Sequence, residues 1–124
     1  MPKVAETAGR MGEDAAAEYL KKNGYKIIGR NFLVRGGELD IIAQDGEYYV
    51  FVEVKLRASR AFGSPIDSVT PHKIRRMTRA AQIYLLKKKL DVPVRFDVVE
   101  IIGFEGDGGL CIKEIGVVKN AFGM

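Results

Sequence analysis

Apolar residues recur along the chain with two different periods, and the points where the period changes mark out its elements. From Glu6 to Asn23 the chain is rich in Ala and Glu, with Ala16, Ala17 and Leu20 on one helical stripe, and Gly24 is placed to end a helix. Tyr25 to Val34 reads as a strand, broken at Gly36–Gly37. Glu38 to Gln44 and Glu47 to Lys55 alternate as two further strands joined by Asp45–Gly46, and Asp-Gly between alternating apolar runs is a strong hairpin signal. After a loop from Leu56 to Val69, Thr70–Pro71 supplies an N-cap and a proline at the first helical position. Ile74, Met77, Ala81, Tyr84 and Leu85 then hold helical spacing toward Lys89. Val94 to Ile102 and Leu110 to Val118 read as strands on either side of a Gly103–Gly109 turn. The order αβββαβ, with one more strand, predicts an α/β fold: a sheet with a helix on each side, in a single domain spanning 1–124 after a loose tail to Ala5.

Alternation along the hairpin places its side chains. With Asp45–Gly46 as a two-residue turn, Gln44 faces Glu47, Ile42 faces Tyr49, Asp40 faces Phe51 and Glu38 faces Glu53. Glu38, Asp40, Glu53 and Lys55 then share one side, and Leu39, Ile41, Val50, Val52 and Val54 share the other. Three carboxylates crowded on an otherwise apolar pair of strands are unfavourable without compensation, because buried unpaired charge costs several kcal/mol. Lys55 compensates one acid, and a divalent cation would compensate the rest. An isolated Glu-x-Lys on a strand reads as an ordinary salt-bridged strand end. With Asp40 on the adjoining strand, a cation site and an ion-paired strand end are both open.

The first helix brings a further acid, since Glu13 falls on the stripe of Ala16, Ala17 and Leu20. An acid favoured by the helix dipole is the simpler account, and it weakens if the helix begins near Glu6. The basic residues Arg57 and Arg60 follow the hairpin, and His72, Lys73, Arg75, Arg76 and Arg79 populate the second helix. Four of these, His72, Arg75, Arg76 and Arg79, recur at helical steps and form a basic stripe. These basic residues, Arg57, Arg60, His72, Lys73, Arg75, Arg76 and Arg79, are either a solvated face or a surface contacting nucleic-acid phosphates without reading sequence. The Leu56–Val69 loop, with Phe62-Gly63-Ser64-Pro65, is either a flap over substrate or a cap in which Phe62 and Ile66 close the core.

GRMGEDAAAEYL, GELDIIA and FVEVK, in that order and spacing, resemble the signature of the PD-(D/E)XK nuclease superfamily. The closer resemblance is to the bacterial YraN family, related in pattern to archaeal Holliday junction resolvases, and it runs from Thr7 through RFDVVEI to Ile101. The resemblance implies a restriction-endonuclease-like αβββαβ core with a mixed sheet flanked by helices. It implies Asp40 and Glu53 as metal ligands, Lys55 as the catalytic lysine and Glu13 as the helix acid of the resolvase-like branch, a third ligand. Glu38 is an expected outer helper. Leu39 stands where the superfamily often has proline, and Gln82 and Tyr84 are too close to match the Gln and Tyr of the RecB-type branch. The expected activity is Mg²⁺- or Mn²⁺-dependent endonucleolytic cleavage of DNA, with branched or damaged structures as the implied substrates. The alternative is a non-catalytic nucleic-acid-binding protein on a nuclease fold. Related resolvases act as dimers, so a homodimer is the implied assembly.

Composition narrows the chemistry further. The chain has 124 residues, a net charge of +4, one Cys and one His. One Cys and one His make a structural zinc site untenable, so a metal here must be held by carboxylates, which suit hard cations. Cys111, in LCIKEI, is expected to be a small packed hydrophobe in a strand. No apolar run approaches the ~18 residues of a membrane span, and the start lacks a secretory pattern, so a cytoplasmic protein is the expectation. The positive charge leans toward a polyanionic partner.

Overall fold

A computed structural model describes residues 4–59 and 69–123. The elements are α1 (Val4–Lys22), β1 (Lys26–Val34), β2 (Gly37–Asp45), β3 (Tyr48–Arg57), α2 (Pro71–Lys88), β4 (Val94–Gly106) and β5 (Gly109–Phe122). The α/β order matches the expected one. Val4 and Ala5, expected in a loose tail, are the first residues of α1.

The strands lie in the order β1-β2-β3-β4-β5. All neighbours are antiparallel except β3 and β4, which are parallel and therefore need the α2 crossover between them. Alternation along β3 divides the core. Val50 and Val52 pack with Ala16, Ala17 and Leu20 of α1, while Phe51 packs with Met77, Ala80, Ala81 and Tyr84 of α2. The sheet is thus mixed and covered by one helix on each face, consistent with a restriction-endonuclease-like core. Among the described residues neither helix is long and apolar enough to cross a membrane.

Three expectations about strand detail change. First, Asp45 belongs to β2 and pairs Tyr48, so the hairpin turn is Gly46–Glu47, with Gly46 at φ +62°. Glycine at the first turn position takes the positive φ that hairpin turns require. Asp45 is meanwhile held in the strand by Arg95 of β4 at 2.7 Å. The register shifts by two residues, Ile42 facing Phe51 and Gln44 facing Tyr49. Faces survive a two-residue shift, but Glu38 does not oppose Glu53.

Second, the alternation slips at Asp40. Leu39 packs in the α2 layer and Ile41 in the α1 layer, so they do not share a face as expected. The β1–β2 ladder omits the Asn31–Asp40 pair, and Asn31 sits at φ +54°.

Third, β4 and β5 run on through the expected Gly103–Gly109 turn, leaving only Asp107–Gly108 between them. Gly103 permits this, because a Cβ there would run into the Cys111 carbonyl where the register shifts. Cys111 is exposed, not packed. It lies on β5, which among the described residues is the outermost strand of the sheet.

A buried polar network ties the other end of the sheet. Asp97, fully buried, accepts hydrogen bonds from Tyr25 Oη (2.7 Å), Arg95 Nε (2.9 Å) and the Asn120 main-chain N–H (2.9 Å). Each of these donors answers a carboxylate that would otherwise be costly inside.

Candidate active site

The β2–β3 ladder ends at Ile41–Val52, and carrying the same register one pair further sets Asp40 level with Glu53. There the Asp40 side chain replaces the main chain as acceptor: Val54 N–H donates to Asp40 Oδ2 at 2.8 Å. Glu53 itself is 6% exposed, on the α2 side of β3. The two carboxyl groups are within hydrogen-bonding reach of each other. Burial raises both above their ordinary carboxylate values, and Glu53, which also feels the Asp40 charge, is pushed up to about 7. The Val54 N–H works against the shift at Asp40, and Lys73 and Lys55 work against it at Glu53.

Lys73, expected among the nucleic-acid contacts, has its ammonium among the acids. Its ammonium lies 2.9 Å from Glu38 Oε1 and 3.4 Å from Glu53 Oε2. Burial alone would lower its pKa, yet the Glu38 hydrogen bond and the charges of Glu53 and Asp40 hold it above the ordinary value. The hydrogen bond from Lys73 in turn lowers Glu38. Glu38 therefore reaches Glu53 through a lysine, not as a strand partner. The signal was present in the sequence: Lys73 stands one turn before Met77 on the apolar stripe of α2, as Glu13 stands on that of α1. What brings Lys73 here is the close crossing of α2 over β2. A Cβ on Gly37 would lie 2.6 Å from the Arg76 carbonyl oxygen and 3.0 Å from Ala80 N.

Glu13 approaches from the α1 face. Burial raises its pKa first, the Asp40 charge adds to that, and Arg30 offsets it. Arg30 lies 3.7 Å from Glu13 Oε1 and 2.7 Å from Asp14 Oδ1. A surface cleft of about 370 Å³ beside it is lined by Gly9, Arg10, Glu13 and Asn31. Asp40, at the slip in the alternation, is the residue whose charge acts on acids of both layers. The expected three-ligand set does not assemble: among the described residues no group of three or more His, Cys, Asp or Glu side chains is placed to hold a metal ion. Asp40 and Glu53 are the acids brought together. Both are buried, and their oxygens still suit Mg²⁺, which binds through one or two carboxylates and keeps several waters.

The basic residues divide. Arg57, expected on the nucleic-acid surface, turns inward and pairs with Glu100, which is 2% exposed. A buried carboxylate on β4 claims it. Arg60 and the Phe62–Pro65 segment lie outside the described residues. His72 and Arg75 are exposed and Arg76 is half-buried. Arg79 donates from Nε to the Arg35 carbonyl at 2.6 Å, packing over the β1–β2 turn. His72, Arg75, Arg76 and Arg79 remain as a basic stripe beside Glu38. Glu100 was missed altogether, although an acid in the apolar run RFDVVEI was its signal.

Comparison with known proteins accounts for most of the chain. The model of the uncharacterised protein family UPF0102 matches residues 12–101. A UPF0102 protein of Geobacter sulfurreducens is 52% identical over 115 residues, covering 92% of this chain and 87% of the relative. One from Acetivibrio thermocellus is 45% identical over 117 residues, covering 93% and 90%. One from Symbiobacterium thermophilum is 50% identical over 99 residues, covering 79% and 84%. The chain belongs to the family UPF0102, the YraN family.

Proposed function

We propose that this protein is a divalent-cation-dependent endonuclease that hydrolyses phosphodiester bonds in DNA. The observation that carries the reading is the buried Asp40–Glu53 pair, two adjacent carboxyl groups that burial holds above their ordinary range in a site flanked by Lys55 and Lys73. A purely structural strand end gains nothing from such a pair. Asp40 and Glu53 would hold the cation, Mg²⁺ or Mn²⁺. When bound, that cation supplies neutralisation of the phosphate and activation of water. The Val54 N–H orients the Asp40 carboxylate toward this role, and Lys73 balances the charge of Glu38 and Glu53. Lys55, two residues from Glu53 on the same face, stabilises negative charge developing on the phosphate. Glu13 acts from the α1 side through its charge on Asp40. The stripe of His72, Arg75, Arg76 and Arg79 would run along the DNA backbone. Branched or damaged DNA as the substrate rests on the resemblance to archaeal Holliday junction resolvases. That same resemblance is the ground for a homodimer.

The test incubates the purified protein with junctions, flaps, nicked duplexes and single strands, with and without Mg²⁺ or Mn²⁺. Metal-dependent cutting that is lost in Asp40→Asn supports the reading. Absence of cutting on every substrate, or cutting that survives the substitution, overturns it.

One observation favours a second reading. Lys73 already stands among the acids as a resident cation, as it would in a nucleic-acid-binding protein that keeps the nuclease fold without turnover. Salt-dependent DNA binding with no Mg²⁺ uptake by calorimetry would favour that reading.

A further inference from the structure

Helix α2 opens with a cation where helix physics favours an acid. Thr70 caps the helix by accepting the Lys73 N–H at 3.2 Å, which puts Lys73 in the first turn, at the positive end of the helix dipole. No acid stands in that turn to offset it. What holds an ammonium there is the sheet, through Glu38 Oε1 at 2.9 Å and Glu53 Oε2 at 3.4 Å. The two acids are unlike. The Glu38 side chain is 35% exposed and that of Glu53 8%, so the shorter contact goes to the outer acid and the longer to the inner one. An ammonium is a point charge with three donors on a flexible four-carbon stem, and it can pass between two carboxylates without movement of the main chain. The close crossing at Gly37 meanwhile holds α2 against β2. A divalent cation on Glu53 and an ammonium on the same carboxylate would stand about 4 Å apart and repel.

We propose that Lys73 is a built-in competitor of the divalent cation for Glu53, and that Glu38 is the seat to which its ammonium withdraws when the cation binds. Lys73 and Glu38 together then set how tightly the site takes up metal. This rests on the reading of Asp40 and Glu53 as the residues that hold the cation. Removing Lys73 leaves Glu53 to the metal. Removing the Glu38 charge takes away the outer seat, so the ammonium settles on Glu53 and the metal must displace it without compensation. The rival account is direct action of each charge on the metal, since Glu38 also acts on Asp40 through its charge. Direct action makes the two substitutions additive, whereas competition makes the effect of Glu38 depend on Lys73. Lys55, whose charge is felt at Glu53, and Arg76, whose charge is felt at Glu38, are the same in every variant compared.

The experiment measures Mn²⁺ affinity of the full chain by calorimetry, with no substrate present, in wild type, Lys73→Met, Glu38→Gln and the double variant. Melting temperatures report folding, and Lys73→Gln replaces Lys73→Met if the latter does not fold. Lys73→Met is expected to bind Mn²⁺ roughly tenfold more tightly than wild type, and Glu38→Gln roughly tenfold more weakly. The double variant is expected to match Lys73→Met, because Glu38 has no competitor left to hold. A double variant whose affinity returns to that of wild type overturns the proposal in favour of direct action. Uptake with equal affinity in wild type and Lys73→Met also overturns it, and leaves the reading of Asp40 and Glu53 standing. Absence of Mn²⁺ uptake in all four proteins overturns that reading and the proposal with it. A crystal of the wild type soaked in Mn²⁺ checks the withdrawal directly. Lys73 Nζ retained on Glu38 and gone from Glu53 supports the proposal, and Nζ still on Glu53 beside a bound Mn²⁺ overturns it.

Discussion

Lys73 Nζ stands 3.4 Å from Glu53 Oε2, so a helix that follows the hairpin in sequence supplies a cation to a buried acid of β3. The same ammonium donates to Glu38, and both acids depend on it for charge balance in the absence of a metal. Its removal exposes what the acids require.

Lys73→Met is expected to destabilise the metal-free protein by about 1–3 kcal/mol, less than the loss for a fully buried pair because Lys73 and Glu38 are partly solvated. Mg²⁺ should recover more stability in the variant than in wild type, since the cation then replaces a missing charge. Urea denaturation with and without Mg²⁺ measures both. Equal Mg²⁺ stabilisation of the two proteins would argue against cation binding beside Glu53.

The pH dependence of stability follows from Glu53. Its carboxyl group is held at about 7 in the folded protein, above the ordinary 4.5, mainly by burial and next by Asp40. The folded state therefore binds the proton more tightly. The resulting stabilisation is complete below 4.5 and is lost as pH rises through about 7. Thermal melts in EDTA should show that decline, Glu53→Gln should flatten it, and Mg²⁺ should reduce it at pH 8.

Gly37→Ala tests the helix crossing that delivers Lys73. A Cβ at 2.6 Å from the Arg76 carbonyl oxygen forces α2 away from β2. A loss of about 1–3 kcal/mol is expected from overpacking, together with weaker cutting. Gly29→Ala is the control, because its Cβ would meet nothing within 4 Å. Melting temperatures of the two variants should differ clearly, the Gly29 variant staying close to wild type.

DNA binding separates the outward arginines from the inward one. Arg75→Ala should weaken binding uniformly across sequences and reduce the slope of log affinity against log salt by roughly 1. Arg57→Ala should leave the slope unchanged, because that guanidinium is engaged with Glu100. Fluorescence anisotropy over a salt series reads both, and equal slope changes would contradict the division.

The sequence by itself determined the order of elements, the two helical stripes and the face on which Glu53 and Lys55 lie. Each of these follows from periods of 2.0 and 3.6 residues in local side-chain direction. It also determined that Asp40 and Glu53 would be neighbours, because a two-residue change in register preserves the face. The tertiary structure alone decided the rest. Asp45 is drawn into β2 by Arg95, from a strand fifty residues on, which moves the hairpin register and removes Glu38 from Glu53. The slip at Asp40, opposite Asn31, turns its carboxylate to the Val54 N–H and within electrostatic reach of both layers. Lys73 stands on the apolar stripe of α2, which sets it apart from Arg75, but that position does not say which acids it meets, and nothing local marks Arg57. The acids that claim them, Glu38 and Glu53 for one and Glu100 for the other, lie on different strands, and only packing brings them together.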